Sequence, residues 1–144
     1  MKLSSPEFKN NEFIPAKFTC EGRDINPQLI IEGIPAAAKS LALILDDPDA
    51  PMGTWVHWLV FNLPLVSFIE ENSQPGEPGI NTLKEKTYHG PCPPSGTHRY
   101  FFKIYALDKK LDLPAAVSKG ILEKAMQGHI LDRVELIGLY KKTK

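Results

Sequence analysis

Three apolar runs constrain this chain more than anything else in it. They are SLALILDD (Ser40 to Asp47), WVHWLVFNLP (Trp55 to Pro64) and RYFFKIYALD (Arg99 to Asp108). Each has the length of a strand, is bounded by Asp or Pro, and is rich in branched or aromatic residues, which suit a pleated, buried surface. Strand side chains alternate. In the second run Trp55, His57, Leu59 and Phe61 share one face, and Val56, Trp58, Val60 and Asn62 share the other. Both faces are apolar, so the strand is covered on both sides and His57 is shielded. QLIIEGIP (Gln28 to Pro35) and RVELIGLY (Arg133 to Tyr140) read as a fourth and a fifth strand, and KFTC (Lys17 to Cys20) as a short sixth. One helix is expected. From Ser118, a capping residue, Ile121, Leu122, Ala125, Met126 and Ile130 fall on one helical face, and Gly128 ends or interrupts the helix. With 144 residues, the expectation is a single, mainly β domain.

Bulk properties remove several function classes. The composition is 42% hydrophobic, which suits a folded globule. Lys plus Arg equals Asp plus Glu, so no basic face is implied and nucleic acid is not an expected partner. No apolar run approaches a membrane span. The opening MKLSSPEFKNNEFIP lacks the apolar centre of a secretory signal, so the expected location is the cytoplasm. In a reducing compartment Cys20 and Cys92, far apart and not in metal-binding spacing, are expected as free thiols. There is no G-x-S-x-G elbow, P-loop or dinucleotide fingerprint, and no nucleophile visibly paired with a base. The chain therefore does not read as an enzyme, and no cofactor is expected.

Chemistry is concentrated in two stretches and one strand. DDPDAP (Asp46 to Pro51) sets three carboxylates within four positions, which repel unless positive charge or donors lie close. The irregular segment from Glu70 to His98 ends in YHGPCPPSGTHRYFF (Tyr88 to Phe102). Its prolines stiffen the loop, and its glycines let backbone approach a ligand. His98, Tyr100 and Phe102 fall on one face of the strand that follows; His89, Cys92 and Ser95 read as loop filler. Asp47, His57, His98 and Tyr100 thus fall at the ends of neighbouring strands. Imidazolium, phenol and backbone N–H donors suit a small anion such as phosphate. Asp47 would repel an anion unless it orients an imidazole, or accepts from a ligand's ammonium or hydroxyl. The alternative is a metal-dependent enzyme using Asp47, His57 and His98, a two-histidine, one-carboxylate set.

DDPDAP, the histidine of WVHWLVFN and GPCPPSGTHRYFFKIYALD, in that order, resemble the phosphatidylethanolamine-binding protein family, also called the Raf kinase inhibitor protein family. FTCEGRDINPQLIIEGIP and GHILDRVELIGLY resemble its shorter bacterial and archaeal branch. The resemblance runs from about Phe18 to Tyr140. It implies a central antiparallel sheet with Greek-key connections, a second smaller sheet and a peripheral helix. It also implies a pocket for phosphate, acetate or a phosphorylated head group. Matched by motif, the ligand-binding residues are Asp47, Pro51, Trp55, His57, Gly90, Pro91, His98 and Tyr100. The resemblance further implies a cis Ala50–Pro51 bond, suggests a homodimer, and supports modulation of a partner protein such as a kinase or protease. The run GEPGINTLKEKTYHGP departs from the family pattern by the charged patch Lys84, Glu85 and Lys86.

Overall fold

The structure, a computed structural model, describes residues 1–143. Among the described residues, nine strands, one helix and one short 3-10 turn make up the fold. The strands are β1 (Lys2–Ser4), β2 (Glu12–Phe13), β3 (Leu29–Glu32), β4 (Ser40–Asp47) and β5 (Trp55–Leu63). They are followed by β6 (Phe68–Ile69), β7 (Glu77–Pro78), β8 (His98–Leu107) and β9 (Ile130–Tyr140). The helix α1 spans Lys119–Met126. Six strands form the main sheet in the order β2-β9-β8-β4-β5-β7, and three form a smaller sheet in the order β1-β3-β6. Pairing is antiparallel except for β2 against β9. Both expected sheets are therefore present.

The two faces of the main sheet bury different partners. Leu41, Leu43 and Leu45 of β4, with Phe102 and Ile104 of β8, pack toward Leu29, Ile31 and Ile69 of the smaller sheet. Ala42 and Ile44 point the other way, with Leu59 and Phe61, onto Leu122 and Met126 of α1. Every residue of β4 is buried. That explains why its sequence is nearly continuous in apolar residues rather than alternating.

Several local expectations change. Lys17 to Cys20 is not a strand: Ala16–Phe18 form the 3-10 turn, closed by Thr19 N–H donating to the Ala16 carbonyl at 3.0 Å. Pro15 presets the entry to that turn, and the Thr19 hydroxyl adds a second bond to the same carbonyl at 2.9 Å. The helix begins as expected, with the Ser118 hydroxyl accepting from Ile121 N–H at 3.3 Å. It ends earlier, however, because Gly128 turns the chain at φ +80° and Ile130 starts β9. Its buried pair is Leu122 and Met126, an i, i+4 stripe, while Ile121 faces outward.

The Ala50–Pro51 bond is trans, since the described residues contain no cis peptide. Gly53 N–H donates to the Ala50 carbonyl at 3.2 Å, so Pro51 occupies the second position of a tight turn. A trans proline is suited to that position, whereas a cis proline belongs at the third.

Candidate functional site

The extra carboxylates of DDPDAP are resolved by three separate cations. Asp46, on the helix side of the sheet, meets Lys103 Nζ at 3.1 Å and Lys119 Nζ at 2.8 Å. Asp49 takes Arg99 in a fork, Nε at 3.0 Å and Nη2 at 2.8 Å, and also accepts the Arg99 backbone N–H. The hydrogen bonds from Arg99 hold the Asp49 carboxyl below its usual range. Asp47, on the opposite side from Asp46, accepts from His98 Nδ1 at 2.6 Å, and its other oxygen accepts Asp49 N–H at 2.7 Å. Because strand neighbours point to opposite faces, one acidic dipeptide tethers the helix to one side and builds a site on the other.

His57 is placed by a β-bulge. Leu45 lies opposite Trp58 and Asp46 opposite Val56, so His57 is the extra residue on β5. A bulge re-aims side chains. His57 therefore does not share a face with Leu59 and Phe61, as simple alternation predicts. Its ring packs edge-on against Tyr100 at 5.3 Å, while Leu59 and Phe61 lie in the helix-side core. His57 Nδ1 donates to the His89 carbonyl at 2.6 Å, which fixes the tautomer. Burial lowers the His57 pKa below the ordinary imidazole value, opposed by the His89 hydrogen bond and by the nearby Asp47 charge.

Asp47, Pro51, Trp55, His57, Gly90, His98 and Tyr100 all line one cavity of about 270 Å³. Pro91 does not line it; its carbonyl accepts Cys20 N–H at 3.1 Å instead. Among the described residues two buried side-chain polar atoms lack a partner, Trp58 Nε1 and Tyr100 Oη. Of these two residues only Tyr100 lines the cavity. Burial, with Asp47 nearby, pushes its phenol far above the ordinary value, so it remains an O–H donor. The His98 ring stacks on Tyr100 at 6.4 Å. Both histidines are held through Nδ1, which leaves each Nε2 uncommitted to protein. No group of three His, Cys, Asp or Glu side chains among the described residues is arranged to hold a metal ion.

Gly90 has a different reason for being glycine from the one the sequence suggested. Its N–H is already used, donating to Asp24 Oδ1 at 2.7 Å. A Cβ there would collide with the Phe18 carbonyl oxygen, Asp24 Oδ1 and Thr19 Cα. The glycine thus lets the loop lie on the 3-10 turn. Gly90→Ala is expected to cost about 1–3 kcal/mol through overpacking, measured by urea unfolding; a change within error would remove this role.

The cysteines are paired, not free. Cys20 and Cys92 form a disulfide with Cα atoms 5.5 Å apart, across 72 residues of sequence. The same contact is supported by the Tyr88 hydroxyl donating to the Phe18 carbonyl at 2.7 Å. Cys92 and His89, read from sequence as filler, both line the cavity, as do Pro93 and Pro94. So do Met52 and Leu83, two exposed apolar residues. The loop prolines were expected to stiffen this wall; loops carry no periodicity, and no pattern in the sequence marked His89, Cys92, Met52 or Leu83 as lining it.

The fold is a two-sheet β protein with a pocket at the ends of its central strands, and comparison with known proteins supplies the family. Residues 4–141 match the family model for phosphatidylethanolamine-binding protein. The chain belongs to the phosphatidylethanolamine-binding protein family. A UPF0098 protein of Pyrococcus horikoshii is 51% identical, covering 99% of this chain and 77% of the relative. One from Methanothermobacter thermautotrophicus is 46% identical over 99% of both chains. The crystal structure of a protein described as a phosphatidylethanolamine-binding protein homologue from Chlamydia trachomatis superposes with a TM-score of 0.95. It is 43% identical and covers 98% of this chain and 97% of its own. That of Escherichia coli YbcL, described as a member of the mammalian family, gives 0.91 at 27% identity, covering 99% and 98%. No helix among the described residues is long and apolar enough to cross a membrane.

Proposed function

We propose that this protein is a cytoplasmic, non-catalytic binder of small anions, with phosphate or a phosphorylated head group as the ligand class. The observation that carries the reading is the Tyr100 hydroxyl, buried, close to Asp47 and the Cys92 backbone but in hydrogen-bond geometry with neither, and set in the cavity beside two oriented imidazoles. A buried donor left unpaired costs free energy comparable to a lost hydrogen bond. An anion oxygen would repay that cost.

Each group has a distinct part in this reading. Tyr100 donates O–H. His57 and His98 present Nε2, which donates when the ring is protonated. Asp47 does not contact the ligand; it aligns His98, and its two oxygens already accept from that ring and from Asp49 N–H. Trp55, Pro51 and Pro94 give the cavity an apolar wall.

The test is calorimetric titration of phosphate and of phosphoethanolamine into the wild-type protein and Tyr100→Phe. Losing one donor to a charged acceptor costs about 1.5–3 kcal/mol, so the variant should bind roughly ten- to a hundredfold more weakly. No heat of binding at millimolar ligand, or equal affinity in the variant, would overturn the reading.

A further inference from the structure

The Cys20–Cys92 disulfide forms part of the cavity wall, and its two sulfurs are not equivalent. Cys92 is exposed and lines the cavity. Cys20 is half-buried, follows the 3-10 turn, and is not among the cavity residues. We propose that this bond is a thiol–disulfide exchange site of the native protein, attacked through the cavity at Cys92 Sγ by small thiols. The proposal does not depend on anion binding.

The chemistry is an ordinary displacement. A thiolate R–S⁻ attacks Cys92 Sγ, the Cys20–Cys92 bond breaks, and an R–S–Sγ bond forms on Cys92. The electron pair leaves on Cys20 Sγ, which takes a proton from water. A second thiolate then attacks the sulfur of R in the adduct. It releases Cys92 as a thiolate and the small molecule as its own disulfide. One disulfide is reduced and one dithiol equivalent is oxidised. Exchange rates depend on access and on which sulfur is attacked, and here the cavity offers only one of the two.

The surroundings let the protein survive the opened state. Three other ties hold the loop to the turn: Tyr88 Oη to the Phe18 carbonyl, Gly90 N–H to Asp24, and Cys20 N–H to the Pro91 carbonyl. Breaking the S–S bond therefore frees the segment after Pro91 without detaching the loop. In the reducing compartment proposed above, disulfides are usually transient, catalytic or redox-sensing rather than structural. An accessible sulfur on a pocket wall fits that use.

Two measurements decide it. The first is the rate of reduction of the native protein by dithiothreitol, at several low urea concentrations below the unfolding transition. Attack in the folded state predicts a rate that does not change with urea; a rate rising steeply with urea means the bond is reached only by unfolding and overturns the proposal. The second compares the single variants Cys20→Ser and Cys92→Ser with an aromatic disulfide reagent. The thiol of Cys92 in the first is expected to react at least tenfold faster than that of Cys20 in the second. Equal rates, or a faster Cys20, overturn the assignment of the attacked sulfur. Circular dichroism shows whether each variant is folded, and the dithiothreitol experiment uses wild type and does not depend on that outcome.

Discussion

Cys20→Ser/Cys92→Ser is expected to lose about 4 kcal/mol of stability relative to the oxidised protein. The bond closes 72 residues of sequence, half of the chain. In the chain-entropy model a loop of that size restricts the unfolded ensemble by this amount. For a domain of this length the melting temperature should fall by roughly 10–15 °C. Typical domains are stable by about 5–15 kcal/mol, so the double variant should still fold at room temperature with a much smaller margin. Thermal melts of the double variant and of wild type, with and without a phosphine reductant, check this. Reduced wild type and the double variant should coincide. A loss below about 1 kcal/mol would mean that the unfolded chain is already constrained there, or that the native contact is strained.

The parts of this architecture that were legible in sequence are those governed by local period. β4, β5 and β8 follow from runs rich in apolar residues; β4, buried at every position, is the most nearly continuous of them. The pairing of Asp47 with a histidine was also legible in kind, as one of the two uses the sequence left open for a carboxylate set among histidines and a phenol. What escaped depends on contacts that no local pattern records. One inserted residue at His57 reverses which core it faces, and a bulge leaves no mark in a stretch apolar on both sides. The Cys20–Cys92 pair depends on a turn and a loop meeting across half the chain, and the expected reducing compartment argued for free thiols instead. Gly90 was recognised as special, but for a ligand rather than for the Phe18–Thr19 backbone it rests against. Met52 and Leu83 reach the cavity rim from loops whose shape is set by turns, not by period.

The affinity for a non-titrating anion should fall about tenfold for each pH unit above the ordinary imidazole value, and His57 should be the main cause. In the unliganded protein burial depresses its pKa, so near neutrality the ring is neutral, with its proton on Nδ1 toward the His89 carbonyl and a lone pair on Nε2. A lone pair repels an anion. Binding must therefore bring a proton to Nε2, and each proton taken up makes affinity tenfold weaker per pH unit. His98, His89, Asp47 and Tyr100 share the cavity, but Asp47 already pairs with His98 and the Tyr100 phenol keeps its proton. Sulfate is the suitable probe, since phosphate would carry its own proton into the site. Titrations between about pH 6.5 and 8 should show roughly a thirtyfold loss in wild type, and buffers of different ionisation enthalpy should report proton uptake. His57→Gln should bind weakly with a shallower pH dependence. A wild-type affinity flat across this range would sink the role of His57. The unliganded fold should respond with the opposite sign: a depressed folded pKa means the unfolded chain takes the proton first. Its contribution is then complete above the ordinary imidazole value and shrinks as pH falls from there toward the folded pKa. Acid thus weakens the empty protein over the same interval in which it strengthens anion binding, and a bound anion should stabilise the fold most where the empty protein needs it most.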